Sequence, residues 1–67
     1  MRIFIEKEDK TLDWHKPASK LTAAKLLREF NINPATVILV RNNEVILEDE
    51  LLESDDNLKI LSVISGG

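Results

Sequence analysis

The sequence predicts an α+β domain in which a single helix lies across one face of a mixed sheet. Three observations point there. Two segments at the start of the chain alternate apolar and polar residues around a short polar break. A single apolar stripe of helical spacing follows, and then come a second pair of strand-like segments and a final one. The 67 residues allow one domain and one core, because a chain this short buries only about 60% of its unfolded surface.

Met1 to Lys7 alternates with period two, placing Ile3 and Ile5 on one face and Arg2, Phe4 and Glu6 on the other. Glu8-Asp9-Lys10 forms a polar turn, and Thr11 to Lys16 alternates again with Leu12 and Trp14 inward, so the two segments form a β-hairpin. His15 then faces solvent. As the sole histidine with no companion, it reads as a surface residue and not as a base or ligand.

Pro17 ends the second strand, and Thr22 is a good N-cap for a helix over residues 23 to 30 or 31. Leu21 and Leu26 have the spacing of a hydrophobic staple. Ala23, Leu26, Leu27 and Phe30 make the stripe, while Lys25, Arg28 and Glu29 face water. Asn31 can close the helix in the left-handed conformation, Ile32 supplies a contact beyond the cap, and Pro34 prevents continuation.

Thr36 to Arg41 and Glu44 to Glu48 flank Asn42-Asn43, a loop suited to a type I′ turn. That loop sets Arg41 opposite Glu44, Val40 opposite Val45, Leu39 opposite Ile46 and Ile38 opposite Leu47. The uncharged face of Ile38, Val40, Val45 and Leu47 is assigned to the core. Val37, Leu39, Arg41, Glu44, Ile46 and Glu48 are assigned to solvent. Asp49 to Asn57 is an irregular acidic connection with a short helical turn that tucks Leu51 or Leu52 under the sheet. The last strand, residues 58 to 64, turns Leu58, Ile60, Ser62 and Ile64 to one face and Lys59, Leu61 and Val63 to the wet one.

The order ββαββ and a final β, with one helix across a five-stranded mixed sheet, is the β-grasp or ubiquitin-like arrangement. The last strand is then expected in the centre, beside the first and parallel to it. Residues 1–64 form this domain, and residues 65–67 form a flexible tail ending in Gly66-Gly67, the only two glycines in the chain.

The absence of cysteine excludes disulfides, a thiolate nucleophile and a Cys-ligated metal. No signal-peptide pattern opens the chain, and its longest uninterrupted apolar run, Val37 to Val40, is far too short for a membrane span. A soluble cytoplasmic protein with no membrane partner is expected. The net charge of -3 is uneven, since Glu44, Glu48, Asp49, Glu50, Glu53, Asp55 and Asp56 share a window without Lys or Arg. That window reads as a solvated face, with docking to a basic partner as the sharper alternative. Trp14 stands among acids with only His15 and Lys16 close by, so no direct nucleic-acid ligand is expected.

No residue set resembles a self-contained active site, and solvation explains the paired Asp55 and Asp56 in their turn. The chain is therefore not expected to be an enzyme. The reactive group left is the α-carboxylate of Gly67, which is a poor electrophile until ATP converts it to an acyl-adenylate. Another protein must supply that ATP site. Ser65, Gly66 and Gly67 suit a tail that threads a narrow channel, because glycine visits backbone regions closed to other residues. On the wet face Phe4 is placed near Leu61 and Val63, with Leu39 and Ile46 added by the second hairpin, as a partner-binding patch beside the tail. Scattered side chains, cover by the chain's own loops, or a homodimer contact are the other readings of that patch.

The succession Thr22-Ala23-Ala24-Lys25-Leu26-Leu27-Arg28-Glu29-Phe30-Asn31-Ile32-Asn33-Pro34, then an apolar strand into Asn42-Asn43-Glu44-Val45, then Asp55-Asp56-Asn57-Leu58-Lys59-Ile60 and terminal Gly66-Gly67, resembles the ThiS/MoaD family of ubiquitin-like sulfur carriers, whose relatives include the ubiquitin-related and archaeal modifiers. Many members have Asn-Gly in the second hairpin and Asp-Gly-Asp before the last strand. This chain differs at both turns and not at its reactive end. The resemblance implies no bound cofactor and a ubiquitin-activating-type adenylating enzyme that docks on the sheet and adenylates Gly67 with ATP and Mg. A sulfurtransferase or cysteine desulfurase would then produce the thiocarboxylate. It further implies delivery to thiazole synthase, the large subunit of molybdopterin synthase or a tRNA thiolase, with conjugation to protein lysines as a second output. The alternative is a β-grasp binding module that is never activated.

Overall fold

The computed structural model describes residues 1–15 and 19–63. Its strands are β1 (Arg2–Ile5), β2 (Lys10–Asp13), β3 (Val37–Arg41), β4 (Glu44–Ile46) and β5 (Asn57–Ser62), with one helix, α1 (Ala23–Glu29). They form one sheet in the order β2-β1-β5-β3-β4. The last strand lies in the middle, parallel to β1 and antiparallel to β3, as the β-grasp arrangement requires.

Local chemistry explains most of these elements. β1 passes into a 3-10 turn, Glu6–Glu8, closed by Asp9 at a left-handed φ of 48°, so the first break is longer and more ordered than a plain polar turn. Leu12 and Trp14 are half-buried against the core, and the Trp14 indole meets the Phe30 ring at 6.0 Å and 60°. In α1, Thr22 Oγ1 accepts a hydrogen bond from the Lys25 amide, and Leu21 and Leu26 are both buried as a staple requires. At the other end Asn31 sits at φ 60°, its N–H donates to Arg28 O, and the Ile32 N–H donates to Leu27 O. That pair of bonds is a Schellman closure with asparagine in the usual glycine position.

The connection after β4 has no helical turn. It runs alongside the start of α1, where the Ala23 and Ala24 amides donate to Glu50 O and Glu48 O. Those carbonyls satisfy first-turn donors that have no partner within the helix. Leu52 is buried and Leu51 exposed, which settles the choice between them.

Asn42 and Asn43, at φ 50° and 70°, make the type I′ turn, and Arg41, Val40 and Leu39 face Glu44, Val45 and Ile46 as expected. The assignment of faces, however, is inverted. Leu39 and Ile46 are 4% and 7% exposed, whereas Ile38, Val45 and Leu47 are 42%, 72% and 69% exposed. The charges used to mark the wet face stand at the strand ends and say little about its middle. Arg41 folds back to donate to Leu51 O, and Glu44 is the first residue of β4, next to the turn. What decides the face is pairing with β5, which sets Leu39 beside Ile60 and Ile38 beside Leu61. The core is thus Ile3, Ile5, Leu39, Ile46, Leu58 and Ile60 from the sheet, covered by Leu21, Ala23, Leu26 and Leu27 from α1 and its entry and by Leu52.

Solvation does not explain Asp56, which is only 5% exposed. Its carboxylate accepts from Asn42 Nδ2 at 3.1 Å and from the Glu53 amide at 2.8 Å, and Arg41 Nε lies 3.9 Å away. Asn42 Oδ1 in turn accepts from the Asn57 amide, so this residue ties the hairpin tip to the start of β5. Glycine would supply the backbone angle but neither bond. Replacing Asp56 with Ala strands these donors, and urea unfolding should show a loss of about 2 to 3 kcal/mol. A loss below about 0.5 kcal/mol would remove Asp56 from the structural network.

Candidate functional site

With α1 on one face of the sheet, the other face is left open among the described residues and is built from the alternate residues of each strand. Register sets Val45, Val40, Lys59 and Phe4 abreast across β4, β3, β5 and β1, and sets Ile38 beside Leu61 in the next row. Phe4, Val40 and Leu61 are half-buried, while Ile38, Val45 and Val63 are exposed. The result is a contiguous apolar surface across four strands, with the stem of Lys59 in its middle.

Phe4, Leu61 and Val63 lie on this face as expected. Leu39 does not, because it points under the helix, and Ile46 goes with it. Phe4 is level with Lys59, so Leu61 is its diagonal neighbour, while Val63 lies just past the end of β5, four residues beyond Lys59 and about 13 Å away by strand rise. Ile38, Val40, Val45 and Leu47 belong to this surface and not, as their lack of charge predicts, to the core. The signal that places them is the long-range β3–β5 pairing, which a single sequence does not reveal.

The open face continues to the point where β5 gives way to the tail. There the Ser62 amide donates to Glu6 Oε1 at 2.9 Å and the Val63 amide donates to Thr36 O at 3.1 Å. Glu6 reaches from the end of β1 and Thr36 from the start of β3, so the last described residues are held from both sides. Ser65, Gly66 and Gly67, the sites of threading and modification in the sequence reading, lie outside the described residues. One bond to a side-chain carboxylate and one to a backbone carbonyl therefore anchor Ser62 and Val63 on the sheet. Among the described residues no cluster of three or more His, Asp or Glu is arranged to hold a metal ion, and no helix is long and apolar enough to cross a membrane.

A five-stranded sheet with β5 at its centre, one helix behind it and an apolar face in front defines a β-grasp domain whose middle strand leads into a glycine pair. The chain belongs to the ThiS family, which it matches over residues 3–67. A curated relative, the sulfur carrier protein TtuB of Thermus thermophilus, is 50% identical over 44 residues, covering 64% of this chain and 66% of the relative. The match thus spans just under two thirds of the relative's length.

Proposed function

We propose that this chain is a sulfur carrier whose reactive atom is on Gly67. The observation that carries this reading is the geometry of β5: it is the central strand, its end is gripped by Glu6 and Thr36, and an apolar docking face runs alongside it. Membership of the ThiS family and likeness to a protein named a sulfur carrier support the same reading.

The chemistry is supplied by partners. A Gly67 carboxylate oxygen attacks the α-phosphorus of ATP, held with Mg by an activating enzyme, and pyrophosphate leaves. The terminal sulfur of a persulfide on a sulfurtransferase or cysteine desulfurase attacks the acyl carbon, and AMP leaves with the oxygen. A thiol then cleaves the acyl disulfide to give the thiocarboxylate and a protein disulfide. This chain acts as carrier and co-substrate, not as catalyst. The acceptor is thiazole synthase, the large subunit of molybdopterin synthase or a tRNA thiolase, and attack of a lysine amine on the same adenylate gives the conjugate instead.

Incubation with the cognate activating enzyme, ATP and a sulfur donor should raise the intact mass by about 16 Da, one oxygen replaced by sulfur. Persistent absence of both adenylate and thiocarboxylate under those conditions would sink the carrier reading in favour of a binding module that is never activated. A tag appended after Gly67 separates the two, since the binding module tolerates it. Ile38→Glu puts a charge in the middle of the exposed patch without entering the core. It should slow adenylation at least about tenfold through weaker docking. An unchanged rate would move the docking surface elsewhere.

A further inference from the structure

Trp14 has different neighbours in the fold from those it has in the sequence. It forms one wall of a concavity on the helical side of the domain, away from the open sheet face, together with His15, Lys20, Lys25, Arg28 and Glu29. Lys25 and Arg28 are three residues apart on the solvent side of α1, and Lys20 comes from the segment leading into it. Among the described residues no carboxylate lies within ion-pairing distance of Lys20, Lys25 or Arg28, and Asp13, the acid nearest Trp14 in sequence, is engaged by Arg2 at 3.6 Å. Glu29 is the one acid in the lining. A chain of net charge -3 therefore collects three unpaired cations and a histidine around its only indole.

We infer that this concavity binds single-stranded nucleic acid, with a base against Trp14 and backbone phosphates at Lys20, Lys25 and Arg28. Contact with Phe30 holds the indole in place while its half-exposed remainder faces the concavity. A fixed aromatic face beside a cationic track is what stacked bases and a phosphodiester backbone require, whereas an acidic peptide would use the charges and leave the indole idle. The overall negative charge does not oppose this at physiological salt, where a screening length of about 8 Å makes the local cluster decisive. Because α1 covers the face opposite the apolar patch, a nucleic acid here and a protein on the open sheet can be held together.

Trp14 is the only tryptophan, so its fluorescence reports from the site itself. Titrating the full chain with an oligouridylate should give saturable quenching. With three phosphate contacts, affinity should fall about 20-fold between about 50 and about 200 mM salt. K25E/R28E reverses two exposed charges; it should weaken binding at least about tenfold in the same titration while circular dichroism stays unchanged. The inference is overturned by no quenching at the lower salt, by equal quenching of the double variant, or by an equal response to polyglutamate, which carries the charge without the bases.

Discussion

Removing Gly67 should abolish thiocarboxylate formation and leave thermal unfolding unchanged. The shortened chain still ends in a glycine carboxylate, so reach is what is lost and not the reactive group. One residue of extended backbone is about 3.3 to 3.6 Å. Reacting atoms must approach within about 3 to 3.5 Å, and a misplacement of about 1 Å costs on the order of a hundredfold, so a deficit of a whole residue takes the rate below detection. Ser62 and Val63 are anchored to Glu6 and Thr36, so the chain beyond them starts from a fixed point on the sheet. Stability should be unchanged because, among the described residues, the core cluster extends along the chain as far as Ile60. Intact mass after reaction with the activating enzyme and a melting curve on the same sample check both halves. A truncated chain that still gains about 16 Da at the full rate would refute Gly67 as the site.

The parts of this fold legible in the sequence are those set by neighbours along the chain. The alternation around Ile3 and Ile5, the Thr22 cap with its Leu21–Leu26 staple, the Asn31 closure and the Asn42-Asn43 turn all come out as the local rules require. What was not legible depends on contacts distant in sequence. The parity of β3 is decided by β5, Asp56 is bonded by Asn42 fourteen positions away, and Glu6 holds an amide 56 positions later. Trp14 likewise acquires Lys25 and Arg28 as neighbours only when α1 folds back over the sheet. The candidate site divides in the same way. The glycine proposed to react is visible from composition, and most of the open apolar face is visible only once the strands are paired.

The inverted hairpin faces give the sharpest test of the architecture. Leu39→Ala should cost about 2 to 5 kcal/mol, because the side chain sits at 4% exposure between Ile60 on β5 and Ile46 on β4, beneath the helix. A 67-residue domain has about 3 to 10 kcal/mol in total, so this one truncation removes a large part of the stability and lowers the melting temperature by about 10 °C or more. Val45→Ala on the adjoining strand should stay within about 0.5 kcal/mol of the parent, since Val45 is 72% exposed and loses little on truncation. The opposite face assignment predicts the opposite ranking, so urea midpoints for the two variants decide between them. The same ranking bears on docking. With Leu39 in the core, a partner on the open face meets Ile38, Val40 and Val45 together with Phe4 and Leu61, and adenylation should respond to Val45→Ala while stability does not.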